Sequence, residues 1–302
     1  MAVRGSRAGS SERGQSTIEY VGLVLVVALL LAGIAALAGT GLPGSGVART
    51  VLGALVCAVD EGHCDRVVAP RSAVEAQYGA AVAALLADHA PDVFFERDGF
   101  ASLPVDFRRC RSRRCADTIR EGPVHATQSG LAPVAFTHVV DCRDPAAARE
   151  QGWDCAGATG NLYLQYWLYY PDSLTHGLGR LGGYHADDWE SYQVRIGPGT
   201  DAQARASSHH GYNGSSGGLA SIGSDTGLRP RPAWEPWTGA LHVAAGSHAG
   251  TTAPAIGDSR AIHRGDLLLI PAEPVAVASR ARFAVTPPWL KEVWSRPEAM
   301  GT

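Results

Sequence analysis

Lysine is almost missing from this chain: of 26 basic residues only Lys291 is one, and the rest are arginine. That skew marks a GC-rich bacterial coding sequence and carries no mechanistic message. Charge of either sign is sparse at 18%, the net charge is -3 and the pI is near 6.4, which excludes the basic footprint of a nucleic-acid binder. No Cys-x-x-Cys pair, His-Glu-x-x-His helix or phosphate-loop glycine pattern occurs, so the usual zinc-ribbon, zincin and nucleotide-binding signatures are absent. Gly214-x-Ser216-x-Gly218 has the spacing of a nucleophile elbow, but it lies in a Ser/Gly-rich loop with no helix behind it and is set aside. Abundant instead are glycine, 36 residues, and proline, 18, which point to many turns and a β-rich body rather than a helical bundle. A 302-residue chain that is 45% hydrophobic can bury a real core and is not a disordered one.

The N-terminus sets the topology. Val21 to Ala38 is unbroken apolar sequence, and no charge occurs between Tyr20 and Ala48. About 18–20 such residues span a hydrocarbon core of about 30 Å as a helix. Arg4, Arg7 and Arg13 precede the run, alongside the acids Glu12 and Glu19, and because arginine and lysine set the orientation the positive-inside rule keeps the N-terminus cytoplasmic and exports the chain beyond Thr40. A cleaved secretory signal is the alternative, but its apolar region is shorter and ends in an Ala-x-Ala site. The segment Gly14-Gln15-Ser16-Thr17-Ile18-Glu19-Tyr20 in front of the helix resembles the processing site of type IV pilin relatives, above all the tight-adherence class. The resemblance covers residues 10–40. It implies cleavage after Gly14 by a prepilin peptidase, Gln15 as the new N-terminus, Glu19 and Tyr20 at the fifth and sixth mature positions, and pilin-like subunits as partners. A carboxylate at a helix start is favoured by the positive end of the helix dipole.

The expected organisation is a leader over 1–14, a membrane helix over 15–39, a Gly/Pro linker over 40–48, a Cys-containing α+β region over 49–159 packing on the rest, and a β-sandwich over 160–302. The fold class is therefore mainly β: one membrane helix, then an exported disulfide-stapled β-sandwich with a few helices. Six cysteines, Cys57, Cys64, Cys110, Cys115, Cys142 and Cys155, lie beyond the membrane segment in an oxidising compartment. They fall into three near neighbours, and sequential pairing is expected over a zinc site. Residues 72–89 carry apolar residues at helical spacing behind a serine cap and read as one amphipathic helix. Residues 107–115, FRRCRSRRC, place five arginines on one stapled loop, either a solvated basic loop or a grip for phosphate-rich polymers or anionic headgroups. Strand-like runs come next: APVAFTHVV, NLYLQYWLYY, SYQVRI, ALHVAAG and DLLLIPAEPVAV.

Two of these runs carry an apolar face into carboxylates. Leu162, Leu164, Tyr166, Leu168 and Tyr170 share a face that ends at Asp172; Asp188 and Glu190 share one with Tyr192, Val194 and Ile196. Unpaired buried carboxylates cost several kcal/mol each, and a bound cation is one remedy. With His185 nearby, Asp172, Asp188 and Glu190 form a mostly oxygen set suited to Mg²⁺, Ca²⁺ or Mn²⁺. The alternative is a surface pair bridged to Arg180 or Arg195. His248 is either a ligand, a residue behind the ligands or a plain strand residue. His209 and His210 sit in a loop that either lines the same end or is simply solvated.

The pattern YYPDS…GYHADDWE is similar to the necrosis-inducing-protein superfamily of secreted cytolysins. A related family, named for vacuolar-sorting resemblance, shares His-x-x-Asp-Trp-Glu followed by a Gly-Ser-His-Ala strand, which residues 246–249 match. Over residues 160–290 the resemblance implies a β-sandwich with Asp172, His185, Asp188 and Glu190 as ligands of a divalent cation at one end. The cytolysins' second histidine before Asp-Trp-Glu is missing here, where the run reads GGYHAD, and the stretch from Asp172 to His185 is long and glycine-rich; both argue against membrane lysis. The expected function is a membrane-anchored surface module that recognises a glycan or lipid headgroup through a cation, with Tyr184 and Trp189 available for packing. A metal-dependent hydrolase with His248 as its base and a released toxin are the alternatives.

Overall fold

The computed structural model describes residues 72–96, 102–118, 122–174, 183–208, 211–213, 234–253 and 258–299. The processing segment with Gly14, Gln15, Glu19 and Tyr20, the apolar run Val21–Ala38, the linker, and Cys57 and Cys64 all lie outside the described residues. Among the described residues no helix is long and apolar enough to cross a membrane. The unit that begins at Arg71 is compact, mainly β, and built around its own core.

Ser72 caps the first helix as expected, its hydroxyl accepting the Glu75 amide at 3.0 Å. The expected single helix is nevertheless two, α1 (Ala73–Tyr78) and α2 (Ala80–His89). Gly79 breaks it with φ +80°, a left-handed conformation that glycine adopts without strain. The break lets Tyr78 turn inward, where its hydroxyl donates to the Thr137 carbonyl at 2.6 Å and to Glu273.

The strands are β1 (Asp92–Glu96), β2 (Val134–Asp141), β3 (Leu162–Leu174), β4 (Tyr184–Ile196), β5 (Gln203–Ser208), β6 (Gly211–Tyr212), β7 (Glu235–Pro236), β8 (Ala240–Val243), β9 (Gly250–Thr251), β10 (Asp258–Ile262) and β11 (Leu268–Pro271). One sheet runs β10-β1-β8-β9 and the other β11-β2-β3-β4-β5-β6, with β7 added on β5. Most neighbours are antiparallel, but β1 runs parallel to β8 and β11 parallel to β2. Strands β1 and β2, upstream of residue 160, thus belong to the two sheets themselves.

The long hairpin β3–β4 is the spine. Its register pairs Leu164 with Val194, Tyr166 with Tyr192, Leu168 with Glu190 and Tyr170 with Asp188. One face, with Leu164, Leu168, Tyr192 and Val194, shares a core with Val93, Phe95, Leu241, Val243 and Ile262 of the smaller sheet. Gly250 stands where β9 approaches β5: a Cβ there would lie 2.8 Å from the Ala206 Cβ and 3.0 Å from the Ser207 carbonyl oxygen, so no larger residue fits. The other face is covered by the C-terminal segment. Phe107 centres an aromatic cluster there with Phe136, Tyr169, Trp189, Phe283 and Trp289, at centroid separations of 5.1–6.3 Å.

The run DLLLIPAEPVAV is half strand and half helix: β11 ends at Pro271 and helix α5 (Ala272–Ala278) continues from it. Pro274 lies in the first helical turn, where its missing N–H has no partner to lose. Helices α3 (Arg113–Ala116), α4 (Pro145–Glu150) and α6 (Glu292–Ser295) are short. Two disulfides join Cys110 to Cys115 and Cys142 to Cys155, the sequential pairing expected of them. The first pins the arginine loop, and the second ties the end of β2 to the turn before β3.

Candidate functional site

The carboxylates gather where β3 and β4 run past the core. Asp172 and Asp188 sit at diagonal register positions, Asp172 opposite Ala186 and Asp188 opposite Tyr170. Both are buried, at 2% and 8% exposure. Over them folds the turn between β8 and β9. Residues Gly246–Ala249, expected as strand, form this turn instead, closed by a 2.9 Å bond from the Ala244 amide to the Ala249 carbonyl. The Leu174 amide donates to the Gly246 carbonyl at 2.8 Å and fastens the turn to the end of β3.

The turn delivers His248, fully buried and held at φ +57°. A non-glycine residue in that region costs on the order of 1 kcal/mol and persists only where surrounding contacts demand it. Those contacts are specific. The imidazole stacks on Tyr170 at 3.9 Å with planes 3° apart, Nδ1 lies 3.0 Å from an Asp188 carboxylate oxygen, and Nε2 lies 3.4 Å from the buried Ser102 hydroxyl. His248 is therefore the residue behind Asp188, with both ring nitrogens engaged.

Asp172 is held only in part, by a side-chain hydrogen bond with Tyr184. Its Oδ1 is buried with no hydrogen bond, as is the Tyr170 hydroxyl oxygen. Burial pushes the Asp172 pKa up, against the opposing pull of His248 and Arg113. Glu190 lies where the β4–β5 ladder stops at Tyr192–Ala206. There the Ser207 hydroxyl turns into the gap, accepting the Ser191 amide at 2.5 Å and donating to Glu190. Burial, then the neighbouring Asp188 charge, raise the Glu190 pKa well above the usual range despite Ser207 and Lys291. The lone lysine, Lys291, is half-buried with Nζ 3.4 Å from the Trp189 carbonyl and 5.6 Å from the Trp167 ring centroid. Burial lowers its pKa while Glu190 and Asp188 pull it back up. The basic groups that act on these carboxylates are thus the His248 imidazole, Lys291 and, on Asp172, Arg113. Arg195, considered as a partner, bonds Glu298 and Gln203 instead, and Arg180 lies outside the described residues.

His185 stands apart. Its Nδ1 bonds the Asp187 carbonyl at 2.8 Å, and its register partner is Ser173 rather than Asp172. Asp187, not singled out in the sequence, is the most heavily held carboxylate here. It receives Arg111 at 2.6 Å, the Tyr169 hydroxyl at 2.6 Å and the Ala284 amide at 2.8 Å, and its own φ is +58°. Burial works against its charge, but Arg111, Tyr169 and Ala284 together hold its pKa below the ordinary range. Trp189 is 3% exposed and locked into the aromatic cluster, so it offers no ligand surface, whereas Tyr184 is exposed. His209 and His210 lie outside the described residues.

The donor set fits a cation in part. Asp172 Oδ1 has no partner, and Asp188 and Glu190 each engage one oxygen, with His248 and Ser207. His248 has no nitrogen to spare, and no three His, Cys, Asp or Glu side chains among the described residues stand close enough together to hold a metal ion. At the opposite end of β3 and β4 a cleft of about 550 Å³ is lined by Asn161, Arg195, Thr200, Asp201 and Gln203; it touches none of these carboxylates. The chain matches no protein family, no curated relative and no solved structure.

Proposed function

We propose that this chain is a membrane-tethered, exported binding module. Its two sheets form a sandwich that takes a divalent cation, Mg²⁺, Ca²⁺ or Mn²⁺, at the carboxylate end and uses it to hold a glycan or lipid headgroup. The N-terminal segment suits a minor pilin-like subunit released from its leader by a prepilin peptidase. The observation that carries the reading is the buried, unpartnered Asp172 Oδ1 beside Tyr170, one register step from Asp188. An orphaned buried oxygen of this kind has a destabilising cost that a hard cation removes. Asp172, Asp188 and Glu190 supply oxygens, His248 orients Asp188 from behind, and the cation would provide charge for hydroxyl or phosphate groups of the ligand. His185 contributes only through Nε2, since Nδ1 is engaged.

Equilibrium dialysis against Ca²⁺ and Mn²⁺ tests this. The parent protein is expected to retain about one ion per chain, and Asp172→Asn and Asp188→Asn to retain none. Equal retention by parent and variants would remove the site.

A second reading is a surface hydrolase with His248 as base, favoured by the line from Ser102 through His248 to Asp188. Ser102 and His248 have no solvent exposure, so that line serves Asp188 rather than a substrate. Turnover of a glycan or phosphodiester panel by the parent, abolished in His248→Gln, would favour the hydrolase over the binding module.

A further inference from the structure

We infer that the arginine-bearing face formed by the Cys110–Cys115 loop and residues 280–282 docks on an anionic phospholipid surface. The loop is built to hold its shape: a disulfide closes it, α3 continues from it, and the Arg111 guanidinium is bound both to Asp187 and to the Arg282 carbonyl at 3.0 Å. Arg111 also lies over the Phe283 ring at 5.0 Å, which joins the two segments into one surface. Local acids neutralise three of the arginines: Arg108 pairs with Asp106 at 2.8 Å, Arg111 with Asp187 at 2.6 Å and Arg113 with Asp117 at 3.5 Å. Arg109, Arg114, Arg280 and Arg282 are exposed and have no ion pair among the described residues. Four uncompensated guanidinium groups on two segments braced against each other through Arg111, in a chain of net charge -3, are a local feature and not a reflection of overall composition.

The bilayer is the partner favoured by the charge of this face and by the tether. The apolar run ends at Ala38 and α1 begins at Ala73, so the intervening chain reaches on the order of 100 Å at most. Tethering keeps the face at high effective concentration over the membrane that holds the anchor. Each basic residue close to an anionic bilayer strengthens attachment about fivefold, an effect that salt screens. The inference rests on the tether in the proposed function and is independent of the cation site.

The test uses the full chain with vesicles of neutral phosphatidylcholine or of phosphatidylcholine with one-third phosphatidylglycerol, in excess chelator. Arginines are labelled with phenylglyoxal and read by mass spectrometry, and exposed Arg149 serves as the internal control. On anionic vesicles Arg109, Arg114, Arg280 and Arg282 are expected to react at least threefold more slowly than on neutral ones. Arg149 should be unchanged, and 0.5 M salt should abolish the difference. In Arg109→Gln/Arg114→Gln the protection of Arg280 and Arg282 should fall. Equal reactivity on both vesicles would overturn the proposal. So would protection by soluble polyphosphate without protection by anionic vesicles, which would assign the face to a phosphate polymer. Flotation with the neutral vesicles reports the tether separately, so failure of the anchor is distinguishable from failure of the face.

Discussion

Replacing His248 with phenylalanine isolates what its nitrogens do. The ring is fully buried and stacked on Tyr170, so phenylalanine keeps the stack and most of the volume. What is lost is the 3.0 Å bond to Asp188 and the looser 3.4 Å approach to Ser102. A hydrogen bond to a charged group contributes about 1.5–3 kcal/mol, a range that reflects leaving the buried carboxylate without its donor. The expected loss for His248→Phe is therefore about 2–3 kcal/mol, and His248→Ala adds a cavity and should cost at least about 1 kcal/mol more. Asp188→Asn should cost about 1–2 kcal/mol. Because the two residues share one bond, the double variant should fall short of the sum by about 1–2 kcal/mol. Urea unfolding of the unit from Arg71, under oxidising conditions with chelator, measures all four states. A His248→Phe cost below about 0.5 kcal/mol, or strict additivity with Asp188→Asn, would refute the role given to this imidazole.

The same geometry sets further outcomes. The folded-state pKa of Glu190 is raised, so its carboxylate loses stability for the fold as pH climbs from near 4.5 through the folded value; Glu190→Gln should melt above the parent at pH 8 in chelator and converge with it near pH 4. Asp187 shows the opposite sign, since a depressed pKa confers stability that disappears as pH falls below the usual aspartate range; Asp187→Asn should flatten the acid limb of a Tm-against-pH curve. Reduction of Cys142–Cys155, which closes a 13-residue separation, should cost about 3 kcal/mol, against about 2 for Cys110–Cys115 with its separation of 5, as read from serine-pair variants in urea.

The sequence carried the spine of the fold openly because period-2 alternation survives along β3 and β4, where both faces are buried by different partners. It carried the two described disulfides for a related reason: cysteines this close in sequence leave few alternative pairings. Strand β5 was illegible, since QARASS is small and polar. Its Arg205 is nevertheless fully buried, bonded to Gln193, the Pro297 carbonyl and the Ala299 carbonyl under the rings of Tyr212 and Trp234. The break at Gly79 and the turn at 246–249 escaped because apolar spacing says nothing about a single residue with positive φ. At the candidate site Asp172, Asp188 and Glu190 could be read from alternation, whereas Asp187 could not. Its partners, Arg111 and Ala284, come from elements 76 residues before it and 97 after it in the chain. Lys291 was noticed only for its rarity; that it faces the carboxylates depends on the C-terminal segment crossing the sheet.

Cation binding is the claim on which the functional account turns, and a melting experiment tests it directly. The folded protein, stripped with chelator, is heated alone and with Ca²⁺, Mg²⁺ or Mn²⁺ in series, beside Asp172→Asn. Saturation at about a hundred times the dissociation constant stabilises a fold by about 2.7 kcal/mol, a rise of roughly 5–10 °C for a unit of this size. The account predicts that rise for at least one of the three ions in the parent and none in Asp172→Asn. Identical melting with and without every ion, or an equal rise in the variant, would contradict it.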